Sequence, residues 1–491
     1  MKAIMIMFDS LNRRMLSPYG CNNVITPNFE RLAGRSLQFD NCYAGSLPCM
    51  PARREIHTGR YNFLHRGWSP LEPFDDSMPE LLKRAGIYTH MITDHYHYWE
   101  DGGATYHNRY SSWEFVRGQE ADLWKAAIKE PNYPPNYDKS RSGRRFEAER
   151  RNFSSRNHMV REEDMSLVKT FQLGMDFLEE NYDSDNWFLQ LECFDPHEPF
   201  AAAQRFRDMY AHEYSGPHFD WPYYGPVTED AGMIEHCHNE AKALYTMCDE
   251  YLGRILDLMD EKKLWDDTML IVNTDHGFLM GEHNWWAKNI SPCYDEIAHI
   301  PLFIWDPRYK KAGERRESLV GTIDIAPTLL DYFEVSHIPH MNGRNLRATI
   351  DRDEKVHDGV LFGYFGQEVN LTDGRYVYMR GSRSGQTIHE YTLMPCYFNY
   401  RMSPELLATA SGSKENFSFL KNCPVIKIPQ KTGGIEETRL YDLKMDSEQE
   451  NPLRDKKTEE RLQKLMIRLM HENEAPPEQF ERLGLEQPLK N

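Results

Sequence analysis

"KAIMIMFD", residues 2–9, decides how the chain is read. Six consecutive apolar residues closed by an acid show no polar alternation. The segment is therefore expected to be a strand covered on both faces, as in a parallel sheet. Such a strand needs helices above and below it, and the sequence supplies them in alternation. Residues 26–44, "TPNFERLAGRSLQFDNCYA", read as a capped helix and then a strand. Residues 77–95, "SMPELLKRAGIYTHMITDH", repeat the unit, with Ser77 as cap and Gly86 as stop. The helix "MSLVKTFQLGMDFLEEN" leads into "WFLQLECFD", and a long helix over about 235–262 feeds "TMLIVNTDHG". "IPLFIWDP" and the helix "DIAPTLLDYFEV" follow. The expectation is an α/β fold with a central, mostly parallel sheet.

Beyond residue 355 the texture changes. "GVLFGYFG", "VNLTDGRYVYMRG" and "TRLYDLKMD" read as short antiparallel strands with an Asp-Gly turn, and "KTEERLQKLMIRLMHENE" as a closing helix. Two units are expected, a catalytic α/β domain over 1–355 and a C-terminal α+β subdomain over 356–491. Within the first, 125–165 is polar and charged, and is expected to be a loop insertion of the kind that forms lids or binding loops.

The formal net charge of −18 leaves no electrostatic footprint for nucleic acid. Nothing approaches a membrane span, because Asp9 cuts the first apolar run short. The opening has no small-residue cleavage site, and nine cysteines without framework spacing point to a reducing compartment, by default the cytoplasm.

In α/β sheets, sites gather at the carboxyl ends of strands. Those ends carry Asp9, Cys49, Asp94-His95-Tyr96-His97, Asp195-Pro196-His197 and Asp275-His276. One Asp after a strand is more often a helix cap than a ligand, but five ends bearing Asp, His or Cys are not explained by capping. Carboxylates with an imidazole suit a divalent cation such as calcium, with manganese or zinc admitted by the imidazole. Cys49 itself keeps unusual company for a packing residue: Pro51 stiffens the backbone, and Arg53 and Arg54 bring fixed charge.

The run "CMPAR", 49–53, matches the Cys-x-Pro-x-Arg signature, and the chain resembles the type I sulfatases of the alkaline-phosphatase-like superfamily. The likeness extends in order through "IMIMFDSL", the trailing "TGR", "DPHEPF", "TDHGFLMGEH", "TIDIAPTLLDYF" and "LYDLKMDSEQENPL". It implies a sandwich with a smaller C-terminal subdomain. It also implies that Cys49 is oxidised by a maturase to formylglycine, whose hydrated form attacks sulfur with one hydroxyl and expels sulfate through the other. By the same resemblance Asp9, Asp275, His276 and the modified Cys49 hold the metal. Arg53 holds the diol, Lys288 binds sulfate, and His197 protonates the leaving group. Either His95 or His97 takes the place of the family's Lys-x-His. Two positions depart from the family pattern: Ser10 stands where a second acid is common, and His276 where Asn is common.

The segment "WEFVRGQEADLW" sets Arg117, Gln119, Glu120 and Asp122 between tryptophans, a cluster suited to sugar hydroxyls or, equally, to an ordinary polar edge. The leading expectation is hydrolysis of a sulfate monoester on a small saccharide. A phosphonate monoester or phosphodiester hydrolase is the rival within the superfamily, and a non-catalytic glycan-binding relative is the alternative from another class.

Overall fold

The structure, a computed structural model, describes residues 1–336, 340–397 and 402–485. Its centre is a sheet built from β1 (Lys2–Phe8), β2 (Leu37–Tyr43), β3 (Tyr88–Thr93), β4 (Ser112–Phe115), β5 (Trp187–Cys193), β6 (Thr268–Thr274), β7 (His299–Trp305) and β8 (Glu314–Arg316). The strand order is β8-β2-β7-β6-β1-β5-β3-β4, with the short strand Val320–Gly321 also on β2. β1 lies parallel to both β5 and β6, in register from Lys2 opposite Trp187 and Thr268 to Phe8 opposite Cys193 and Thr274. β7 alone runs against its neighbours, antiparallel to β6 and β2. Its apolar run looks the same in either direction, so the sequence could not show this.

All seven residues of β1 are buried, and the alternation of strand side chains explains how. Ala3, Met5 and Met7 belong to one core, and Ile4, Ile6 and Phe8 to another. The second core is closed by α1 (Pro27–Arg35), α4 (Ser166–Asn181) and α5 (Ala231–Glu261), the first by α2 (Cys49–Thr58), α3 (Met78–Arg84) and α6 (Ile325–Tyr332). Each fully buried aliphatic or Met side chain contributes about 1.5–3 kcal/mol relative to exposure, so an acid at Ile6 would break the strand from within.

A second sheet orders Arg439–Asp442, Tyr376–Arg380, Val369–Thr372, Val360–Tyr364 and Ser46–Leu47. The first four pair antiparallel, and Asp373-Gly374 makes one of their turns, Gly374 in the left-handed region at φ 90°. Ser46–Leu47 joins parallel to Val360–Tyr364, which ties the segment just before Cys49 to the C-terminal part of the chain. Helix α7 (Lys456–Glu472) starts at Asp455, whose carboxylate accepts from the N–H groups of Lys457 and Thr458. It packs Leu462, Met466 and Met470 onto the first core. Residues 125–165 differ from an open loop. Phe146–Arg156 is a helix that buries Glu149, Asn152 and Phe153, and Arg145 anchors it to the carbonyls of Trp221 and Pro222. The polar composition concealed it because its buried polar side chains find local partners, as Glu149 does with Arg145 and Tyr137.

Candidate active site

The carboxyl ends of β1, β5 and β6 converge with the first turn of α2. Cys49 is the first residue of α2, whose ten residues are all buried. Glu55, one turn and a half further on, fixes this helix. Its carboxylate accepts from the N–H groups of Gly45 and Ser46 and from the Thr322 hydroxyl. Burial pushes its pKa up to about 7.

Arg53 is fully buried and satisfies three carboxylates at once. Its Nε donates to Glu192 Oε1 at 2.6 Å, Nη1 to Asp275 Oδ2 at 2.6 Å and Nη2 to Asp9 Oδ2 at 2.9 Å. Nη1 also donates to the Cys49 carbonyl at 2.9 Å, so the planar fork fixes both metal-type carboxylates relative to residue 49. Glu192, whose other oxygen accepts from Tyr98, is the group the sequence reading passed over. Its signal was an acid inside a mostly apolar strand, which requires a buried cation beside it.

His276 follows Asp275 at the end of β6. Its Nε2 lies 3.2 Å from Cys49 Sγ, and its Nδ1–H donates to the Gly277 carbonyl at 2.8 Å. That bond fixes the tautomer that leaves the Nε2 lone pair facing the cluster. Gly277 is required here, since a Cβ would lie 2.0 Å from the Glu296 carbonyl oxygen. Desolvation lowers the His276 pKa well below the ordinary value, and Lys288 adds to the effect. Burial and the neighbouring Asp9 carboxylate push the Cys49 thiol well up, so an unmodified Cys49 is not poised as a thiolate nucleophile.

Lys288, 1 % exposed, donates to Ser10 Oγ at 2.8 Å and lies 3.9 Å from Asp9 Oδ1. Ser10 in turn donates to Asp9 Oδ1 at 2.8 Å, and its left-handed backbone (φ 60°) turns its N–H onto Asp275. The residue standing in place of a second acid is thus a tie between lysine and carboxylate. Burial works to lower the Lys288 pKa, but the residue-49 thiol, Glu198, Asp9 and Asp275 raise it more. His197 donates Nδ1–H to the Glu198 carbonyl at 2.5 Å and packs against Phe194.

The two candidate histidines after β3 separate. His95 is fully buried, with Nδ1 3.6 Å from Asp9 Oδ2 and Nε2 3.2 Å from Met50 sulfur. His97 is nearer the surface, its Nδ1 held by Glu100 at 2.6 Å. Of the four residues read as sugar contacts, Arg117 and Asp122 are spent on each other in a two-bond pair of 2.6 and 2.7 Å. Gln119 donates to Asp94 at 2.8 Å and to Asp195 at 3.1 Å, clasping two carboxyls whose pKa values burial raises. Only Glu120, bonded to the Tyr96 hydroxyl and within electrostatic reach of Lys288, reaches towards the cluster. Trp286 is core, packed with Phe219 and donating to Glu229, and Trp113 lies 42 % exposed on the outer strand β4. Local sequence holds no record of these internal pairings.

The sequence profile of the sulfatase family matches residues 2–335, and a second profile, N-sulphoglucosamine sulphohydrolase C-terminal, matches 281–397. The chain belongs to the sulfatase family, enzymes that hydrolyse sulfuric esters. An N-acetylglucosamine-6-O-sulfatase of Bacteroides thetaiotaomicron is 24 % identical over 72 % of this chain and 71 % of its own. A structure solved in complex with its substrate D-glucosamine-2-N,6-O-disulfate superposes with a TM-score of 0.64 at 16 % identity, over 98 % of both chains. The phosphonate monoester hydrolase of Agrobacterium radiobacter superposes at 0.65 and 17 %, over 96 % of both.

Family membership implies a metal ion and formylglycine, and the donor set fits a cation. Ligand atoms of Asp9, Cys49, Asp275 and His276 all lie within 4.8 Å of one another, and all four residues are buried. Two carboxylates and a neutral imidazole with its lone pair turned inward are what a divalent ion needs. No helix among the described residues is long and apolar enough to cross a membrane.

Proposed function

We propose that this chain hydrolyses a sulfate monoester on a mono- or small oligosaccharide, using formylglycine made from Cys49 by a maturase. It would work with one divalent cation, calcium by the carboxylate-rich donor set, held by Asp9, Asp275, His276 and residue 49. The observation that supports this most is the meeting of Cys49, the Arg53 carboxylate clasp and Lys288 at one buried point. When present, the cation supplies Lewis-acid stabilisation of sulfate oxygens and formylglycine supplies a hydrated aldehyde as nucleophile.

The chain's own residues take the remaining work. Arg53 cannot lose its proton, so it holds Asp9 and Asp275 in the same orientation at any working pH. Lys288, steadied by Ser10, offers a fixed ammonium to sulfate oxygens, the kind of preorganised charge worth about 3–4 kcal/mol in a transition state. His197 has its Nδ1–H committed to a carbonyl, which leaves Nε2 to hold and deliver a proton to the departing alcohol. Of the other two histidines we assign the substrate contact to His97, because His95 is enclosed against Asp9 and Met50.

Residues 1–355 would form the catalytic unit and 356–491 a subdomain buttressing it through Ser46–Leu47. All nine cysteines are unpaired, which suits a reducing compartment such as the cytoplasm. The test is kcat/KM for sulfated mono- and disaccharides against nitrophenyl sulfate, a phosphonate monoester and a phosphodiester. A phosphonate or phosphodiester ahead by orders of magnitude would move the assignment to that branch. Glycan binding without turnover would move it to a non-catalytic relative.

A further inference from the structure

Glu198 brings a carboxyl group that the reaction described above does not use. Its side chain is fully buried, with Oε1 accepting from the Tyr224 hydroxyl at 2.5 Å. Oε2 has no hydrogen-bond donor among the described residues. His197 Nδ1 stands 3.2 Å away, but its proton goes to the Glu198 carbonyl. A buried carboxylate oxygen without a donor destabilises the fold, a cost that a bound O–H or N–H group would remove. Glu120 adds a second carboxylate nearby. It is held by the Tyr96 hydroxyl at 2.8 Å with its backbone in the left-handed region at φ 44°, a strained conformation for a residue other than glycine. Both carboxylates act electrostatically on Tyr224 and on Lys288, the ammonium assigned to sulfate.

The cationic capacity nearby is already committed. Arg53 is saturated by Asp9, Asp275 and Glu192, so Lys288 and the cation must balance the reacting sulfate. A second anion on the substrate at this wall would meet two carboxylates, with Lys288 already engaged by the reacting sulfate. A hydroxyl or ammonium would meet two acceptors.

We propose that Glu198 and Glu120 form an acceptor wall that selects a substrate bearing a hydroxyl or ammonium beside the sulfate ester and rejects one bearing a second acid there. This rests on the sulfatase reading and narrows it to singly sulfated neutral or amino sugars. Charged hydrogen bonds are about twice as strong as neutral ones, and like charges in a partly desolvated pocket repel, so both terms push selectivity the same way.

The test has two arms on the full-length enzyme. In the first, kcat/KM is measured for glucose 6-sulfate, glucosamine 6-sulfate and glucuronate 2-sulfate. The wild type is expected to favour the first two over the uronate by at least about tenfold, and Glu198→Gln to bring that ratio close to one, largely through KM. Glu120→Gln, at a half-buried position, should shift the ratio in the same direction and serves if Glu198→Gln does not fold. An unchanged ratio in the folded variants, or a wild type that prefers the uronate, overturns the proposal. In the second arm, glucosamine and glucuronate are titrated calorimetrically in the presence of inorganic sulfate, which needs no turnover. Glucosamine binding without glucuronate binding supports the wall even if no sulfate ester is hydrolysed, a result that would remove the sulfatase reading alone. Equal binding of the two sugars overturns the wall whatever the chemistry.

Discussion

Arg53→Lys is the perturbation that tests the site most directly. Arginine makes four hydrogen bonds here, three of them to carboxylates, from a planar fork that spans Glu192, Asp275 and Asp9. An ammonium keeps the charge but is a single point, so it reaches one or two of these partners and leaves the others buried without a donor. Removing one partner from a buried ion pair costs about 3–5 kcal/mol, and the retained charge places this variant near the lower end, about 3–4 kcal/mol. For 491 residues at about 2.1 cal/mol/K each, the entropy of unfolding is about 1 kcal/mol/K. The melting temperature should therefore fall by about 3–4 °C. The drop should be larger after chelation than with calcium present, because a bound cation would compensate Asp9 and Asp275 in part. Activity should fall more than stability, by about a hundredfold or more in kcat, since the carboxylates lose the geometry they need around residue 49. Differential scanning calorimetry with and without chelator, together with initial rates on the best sulfated sugar, measures both effects. A variant with wild-type melting temperature and wild-type kcat would refute the view that this guanidinium organises the site.

Cys49→Ala should abolish turnover while shifting the melting temperature by no more than about 1–2 °C, and peptide mass spectrometry of active wild type should find an aldehyde at residue 49. Retained activity in the alanine variant, or a thiol at 49 in fully active enzyme, would contradict the mechanism. Chelation should remove activity and calcium add-back restore it. A demonstrably metal-free preparation with full rate would sink the metal site, whereas stoichiometric zinc or manganese would correct only the identity of the ion. Stability should fall on acidification through two buried histidines outside the ligand set. Burial holds His57, bonded to Ser77, and His65, bonded to the Glu474 carbonyl, neutral with pKa values lowered to about 3. The unfolded chain takes up these protons below pH 6.5 and the folded chain does not, so the stability present above pH 6.5 is lost as the pH falls towards 3. The loss is about 2 kcal/mol per histidine by pH 5. His57→Gln should remove its half of that pH dependence, and an unaltered slope would show the imidazole is not responsible.

The sequence alone determined the layers and pointed to a candidate chemical centre. Continuous apolar runs such as Ala3–Phe8 require cover on both faces, and local alternation of strand and helix leaves few ways to provide it. Cys49, Arg53, Asp275 and Lys288 could be singled out as candidates because the short motifs that carry the family resemblance are local and do not depend on packing. What depends on partners distant in the chain was not legible. The antiparallel direction of β7 is set by the connection from β6, not by its composition. The strand Ser46–Leu47 finds its partner more than three hundred residues away, at Val360–Tyr364. Arg117 and Asp122 look like ligands for sugar until the fold turns one onto the other. Glu192 and Glu198 look like ordinary acids until burial leaves one clasped by Arg53 and the other with an oxygen lacking a donor. Burial and pairing of a charge are properties of the surroundings, and the tertiary structure alone creates those surroundings.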